Sequence, residues 1–303
     1  MKIGMSSQIK CWSTVILLMT AALARGQMEN LGKCAKFLQN GNLDSARFYI
    51  DFAAQAEVTK VDGQTWYLRG FTYKEIYKTR ELKDKRSPAR IESFHSFVKS
   101  ITLDTSRENK DNNNSNIKFL ATKFFNDAAE TLDSVYYKLS IENFDHYKEC
   151  MRAIDASINL NQKDIEYCLA LGGVYMKMFE SNRKKNMTSL DLAKGAYNHV
   201  LGIDPNNVSA NYNMGVLFYN HAVSIINSMD YDFDLVAVSD IQDNSIVLFK
   251  QSLPFMEKAY ELDPKKKETI RGLAGIYFSL NDFEKSNDFK RKLEDMEKNM
   301  EKK

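Results

Sequence analysis

The segment Trp66-Tyr-Leu-Arg-Gly-Phe-Thr-Tyr73 constrains this chain more than any other, because it returns twice in altered form. Its counterparts are Cys168-Leu-Ala-Leu-Gly-Gly-Val-Tyr175 and Asn211-Tyr-Asn-Met-Gly-Val-Leu-Phe218. In each, a glycine stands four residues after the first anchor and three before an aromatic, spacings that place all three on one face of a helix. A glycine inside a helix costs about 1 kcal/mol against alanine, so its return at one repeat position needs a packing reason. Three later segments stop alike, at Leu103-Asp-Thr105, Ile203-Asp-Pro205 and Leu262-Asp-Pro264. A signature early in one helix and a stop after a second describe a row of helix-turn-helix units.

That pattern resembles the tetratricopeptide repeat, whose period is about 34 residues. The resemblance sets a register in which the eighth, twentieth and twenty-seventh positions mark the close approach of two antiparallel helices. Six repeats give the triplets Cys34, Ala46, Ala53; Gly70, Ser93, Ser100; Ala128, Cys150, Ser157; Gly172, Ala193, Val200; Gly215, Ser252, Ala259; and Ala274, Ser286, Leu293. All but Val200 and Leu293 are Ala, Gly, Ser or Cys. The expected fold is all-α, a TPR-like right-handed superhelix of about six antiparallel helix pairs. Few prolines (4) and 27% charged residues fit an all-helical chain.

Residues 1–26 read as a secretory signal peptide. Lys2 and Lys10 form the positive region, Cys11 to Ala24 is apolar, and Ala24-Arg25-Gly26 offers small residues for cleavage before Gln27. The apolar run is short against the roughly 20 residues that span a bilayer, so no membrane span is expected once it is removed. Removing Lys2, Lys10 and Arg25 turns the formal charge of +2 into −1. Such a balance argues against nucleic acid as a partner, which calls for a basic stripe.

Repeats one and two fill residues 27–104, with Asn40-Gly41-Asn42 as the first turn and a basic insertion, Lys78 to Arg90, before a helix that starts at Ser87-Pro88. Residues 105–116 carry no apolar side chain and read as a mobile polar linker. Repeats three to six fill 117–298. Polar and acidic inserts are expected at Glu180 to Ser189 and at about Asn227 to Asn244. Pro254 either kinks its helix or restarts it. Residues 299–303 are expected to be a disordered tail.

Candidate chemistry is sparse. Without the signal, Cys34, Cys150 and Cys168 remain; small buried apolar residues explain the first two, and a Cys150–Cys168 bridge stays open. No Cys-x-x-Cys pair is present, and His95, His146, His199 and His221 form no metal-ligand pair. Asp230, Asp232 and Asp234 match the first, third and fifth positions of a calcium loop, but Leu235 and Ile241 stand where Gly and Glu are required. Asn113, Asn186 and Asn207 lie in Asn-x-Ser/Thr sequons. With no nucleotide or hydrolase fingerprint either, neither a cofactor nor a small-molecule substrate is expected, and the chain is expected not to be an enzyme.

The resemblance extends to exported repeat proteins of Gram-negative bacteria, and implies a periplasmic scaffold for a protein or peptide. The alternative is a structural or assembly component of the cell envelope acting through its inserts. In tetratricopeptide arrays the first helix of each pair lines a groove. Matching its inward positions here gives Gln64, Tyr67, Phe71 and Lys74 in repeat two, then Leu169 and Met176 in repeat four. Repeat five adds Tyr212, Val216 and Tyr219 with Asn220 beside them, and repeat six Arg271 and Phe278. Tyr67 and Phe71 occupy positions where the family's carboxylate-clamping members need Lys and Asn, so that clamp is excluded in this repeat. What remains is an aromatic stripe suited to a peptide.

Overall fold

The computed structural model describes residues 28–228 and 235–301. The expected signal peptide and Asp230, Asp232 and Asp234 lie outside them. The described chain forms twelve helices: α1 (28–39), α2 (Leu43–Gln55), α3 (Gly63–Ile76), α4 (Pro88–Leu103), α5 (Lys110–Glu130), α6 (Tyr137–Ile154), α7 (Asn161–Ser181), α8 (Met187–Ile203), α9 (Val208–Ile226), α10 (Leu235–Leu262), α11 (Lys267–Ser279) and α12 (Phe283–Glu301). The chain divides into two compact units. One runs to Thr131 and includes Lys138–Ile158; the other is Leu132–Tyr137 with everything from Asn159 on. The fold of the described residues is all-α, with consecutive helices packed as antiparallel pairs.

Local chemistry sets the helix ends. Gly41 takes the left-handed conformation (φ 70°) that closes α1. Asn42 then caps α2 by accepting from the Ser45 amide. Ser87 caps α4 with Pro88 in the first turn, where its missing N–H costs nothing. Each Leu-Asp or Ile-Asp stop ends a helix: α4 at Leu103, α8 at Ile203, α10 at Leu262. Pro254 neither stops nor restarts α10, which runs through it from Leu235 to Leu262.

Close approach within the pairs explains the glycines. A Cβ on Gly70 would lie 2.7 Å from the Phe97 ring, one on Gly172 2.3 Å from Tyr197, and one on Gly215 3.0 Å from the end of Met256. A second device recurs with it. The Ser at the twentieth position donates to the carbonyl of the residue it faces: Ser93 to Gly70 at 2.8 Å, Ser252 to Gly215 at 2.7 Å, Ser286 to Ala274 at 2.8 Å. These are extra bonds, since helix carbonyls have a second lone pair that a buried hydroxyl can use.

Two expectations change. In the α5–α6 pair it is Ser140 that bonds the Ala128 carbonyl, at 2.7 Å, not Cys150. Ser157 falls beyond the end of α6, exposed and bonded to Asp155. The short turn between the helices brings Ser140, not a later residue, opposite Ala128, and Cys150 is buried elsewhere in the same core. Cys34 and Cys150 are thiols outside any disulfide, and burial raises both above the usual thiol range.

The polar stretch 105–116 is not a mobile linker but a turn followed by the first two turns of α5. Polar side chains hold it. The Asp104 carboxylate accepts from the Ser106 hydroxyl and the Asn109 amide, and buried Asn113 donates to Ser100, which donates to the Gly63 carbonyl. The other expected inserts are cut into by helices: α7 reaches Ser181 and α8 begins at Met187, leaving 182–186 as the turn between them, and α10 already runs from Leu235. α12 continues to Glu301, into the expected tail.

Candidate functional site

The expected groove residues fall into two sets. Gln64, Tyr67, Phe71 and Lys74 belong to the first unit, and the rest to the second. Tyr67 and Phe71 are half-buried against the core that Phe97, Ile117 and Leu120 build. The Lys74 ammonium sits 4.2 Å from the Phe71 ring and donates to Asn116 at 2.7 Å; burial lowers its pKa. Gln64 accepts from Asn109. α5 therefore engages this face of α3. In the second unit Leu169 packs beside Ile165 and Val200, and Met176 is buried. Tyr212, Val216 and Tyr219 pack against Met256, Leu273 and Tyr277. Asn220 donates to Glu180 at 3.2 Å. Arg271 stays exposed, 3.9 Å from Glu297, and Phe278 is exposed, its ring edge-on to Phe283.

A different face of α3 carries a concave site. Trp66, Arg69 and Tyr73, spaced i, i+3 and i+7, share it. With Asp51 and Gln55 of α2 and Glu92, His95 and Lys99 of α4, Trp66 and Arg69 line a cavity of about 400 Å³. Arg69 is its floor. Its Nε donates to Asp51 Oδ1 at 2.9 Å, and its Nη1 to Ser96 Oγ at 2.7 Å and to Glu92 at 2.8 Å. Burial opposes the Arg69 charge, but these carboxylates outweigh it and its pKa rises.

Tyr73 donates to the other Asp51 oxygen at 2.7 Å, and its ring lies 4.6 Å from the guanidinium. Burial first, and then this hydrogen bond, push the phenol up to about 12. Trp66 is held by its indole N–H, which donates to the Lys60 carbonyl at 2.8 Å. The Lys99 ammonium stands 3.7 Å from its ring centre, a close cation–π contact. Beside the cavity, one turn apart on α2, Phe48 and Phe52 are 65% and 60% exposed.

The sequence carries a signal for this site. Arg69 stands between two aromatics on a helix face that packs against neighbours, and a charge there requires partners. Those partners come from α2 and α4, so only the fold brings them together. The site can hold a charged group beside a ring, and the rings of α2 extend it outward. Among the described residues no group of His, Cys, Asp and Glu suits a metal ion, and no helix is long and apolar enough to cross a membrane.

No family model matches this chain, and no curated protein sequence does. Among solved structures it is similar to a TPR repeats protein of Bacteroides fragilis NCTC 9343, at 16% sequence identity and a TM-score of 0.42, over 82% of this chain and 97% of that one.

Proposed function

We propose that this protein is a non-catalytic scaffold that binds a protein or peptide, exported to the periplasm after loss of its first 26 residues. One observation carries the reading: a preorganised polar cavity on α2, α3 and α4 adjoins two exposed phenylalanines one helical turn apart. Exposed rings beside fixed, hydrogen-bonded charged groups are the composition of a protein contact surface. Tyr67, Phe71, Tyr212 and Tyr219 lend less to it, since they are half-buried against their own cores.

The test is capture of partners from the native envelope fraction by wild-type protein and by the Phe48→Ser/Phe52→Ser double variant. Both side chains are exposed, so the fold is expected to survive. The variant should lose most of the captured partner. Full capture would remove this surface from consideration.

A second reading, an assembly component acting through its inserts, is favoured by the order of the basic insertion. A π-helical turn, Tyr77–Glu81, continues α3, and Glu81 accepts from the Ser87 hydroxyl and the Ala89 amide. Arg80 pairs with Asp44 through both oxygens, at 2.6 and 3.1 Å. An insertion held in this way presents a defined surface. Shortening it without loss of the partner would argue against this second reading.

A further inference from the structure

We infer that the α2–α3–α4 cavity and the two rings beside it take a neutral saccharide. This gives the surface a ligand beyond the protein or peptide of the scaffold reading. It follows from the charge of the lining, from its remaining hydrogen-bonding groups and from the placement of the rings.

With His95 neutral, the lining carries no net charge. Its two carboxylates, Asp51 and Glu92, stand against two cations, Arg69 and Lys99. The Arg69 guanidinium pairs with both carboxylates, at 2.9 and 2.8 Å. What remains both donates and accepts. Glu92 has one oxygen in that pair and a side chain 44% exposed, so its other oxygen can accept. Lys99, over the indole ring, keeps its N–H donors for a ligand. Gln55 and His95, exposed at the rim, each offer a donor and an acceptor. A neutral ligand that gives and takes hydrogen bonds fits this lining, and an ion finds no opposite net charge in it.

A sugar is that kind of ligand. Each hydroxyl donates and accepts at one atom, and the hydroxyls fan out around a rigid ring. The side chains of α2 and α4 converge in the same manner on a space of about 400 Å³, within the range of roughly 300–1,000 Å³ typical of small-molecule sites. All the lining residues lie in helices, so the lining offers side chains rather than the row of main-chain groups that an extended peptide pairs with. The rings complete the match. Phe48 stands three residues before Asp51 and Phe52 three before Gln55, so both border the cavity along α2. The C–H face of a sugar stacks on an exposed ring of this kind, whose face is negative.

The full-length chain carrying Trp12→Phe keeps Trp66 as its single tryptophan. Trp66 lies in the cavity under Lys99, so its emission reports a ligand that draws Lys99 away. The neutral probes are cellotetraose, maltotetraose and triacetylchitotriose. Trigalacturonic acid and deacetylated chitotriose are the anionic and cationic counterparts, and an acetylated peptide of Ser, Leu and Gln is the control for a protein segment. At least one neutral oligosaccharide is expected to shift the emission with a Kd of about 1 mM or below. Phe48→Ser/Phe52→Ser should weaken that response about tenfold through loss of the stacking faces, and Gln55→Leu should weaken it less. All three positions are exposed, and an unchanged helical circular dichroism spectrum checks that the variants fold.

No shift with any of the neutral oligosaccharides, a tighter response to either charged counterpart, or a response unchanged in Phe48→Ser/Phe52→Ser would each overturn the inference. So would an equal shift with the peptide, which would give the cavity to a protein segment. Capture of the native partner is measured without any sugar present. A partner captured by a surface that binds no saccharide would keep the scaffold reading and remove this inference alone.

Discussion

Gly172 and Gly173 are chain neighbours in α7 with opposite surroundings. A Cβ on Gly172 would lie 2.3 Å from the Tyr197 ring, whereas one on Gly173 would meet nothing within 4 Å. Gly172→Ala should therefore destabilise by about 1–3 kcal/mol through overpacking, and Gly173→Ala should stabilise by up to about 1 kcal/mol through helix propensity. Urea melts of the two variants check this, and shifts of the same sign would mean that the α7–α8 contact is misplaced. Tyr73 and Tyr197 make a second residue-level case. Burial comes first among the causes that push both phenols up to about 12. Their folded pKa values lie above that of an unfolded tyrosine, about 10. They contribute stability that is complete below pH about 10 and is lost as pH rises toward about 12. Alkaline titration of Tyr73→Phe and Tyr197→Phe should show a shallower fall in stability across that window, and an unchanged slope would contradict the burial. The sequon asparagines belong here too. Asn113 bonds Ser100, Asn186 the Met178 carbonyl, and Asn207 caps α9, so each side chain has a structural use.

Among the helices, α4 depends most on a single side chain. Arg90 in its first turn is 1% exposed, yet it donates to Asp127 of α5 at 2.5 Å, to Asn143 of α6 at 2.9 Å and to the Lys85 carbonyl at 2.9 Å. Its guanidinium carbon lies 4.0 Å from the Phe124 ring centre. One residue thus ties three helices and the basic insertion together. Arg90→Leu should cost on the order of 3 kcal/mol, because it leaves Asp127 and Asn143 without their buried partner. Lys85→Ala should cost less than about 1 kcal/mol, since Lys85 reaches Asp127 and Glu130 from a partly solvated position. Comparable losses in the two variants would show that the buried arginine is not the keystone of this junction. The start of α5 illustrates how such contacts mislead a reading from composition. Residues 110–116 lack apolar side chains, but Asn113 and Asn116 find partners in Ser100 and Lys74, and those bonds order the backbone as burial would.

For the whole chain, the two compact units each carry their own buried cores, with Phe97, Ile117 and Phe124 in one and Met256, Leu273 and Ile276 in the other. Export bears on both. The proposal that residues 1–26 are removed predicts a mature chain that starts at Gln27, and mass spectrometry of exported protein reads that mass directly. Recovery of the intact chain from membranes would count against both the cleavage and the periplasmic placement.

Helix pairing was legible from residues alone because its determinants are local and repeated. Gly70, Gly172 and Gly215 stand where a helix must pass closely, the Leu-Asp and Ile-Asp stops end second helices of the pairs, and Asn42 and Ser87-Pro88 cap the starts of two second helices. Two things depended on tertiary structure. One was the α5–α6 register, where small residues alone do not distinguish Ser140 from Cys150; the hydrogen bond to Ala128 does. The other was the placement of the polar and aromatic side chains. Periodicity says which face of α3 a residue occupies, but not what packs on that face: α5 took the face of Tyr67, Phe71 and Lys74, while α2 and α4 brought Asp51 and Glu92 to Arg69. A charge network assembled from three helices has no spacing in the sequence to reveal it, because its partners are set by packing angle and distance rather than by chain separation.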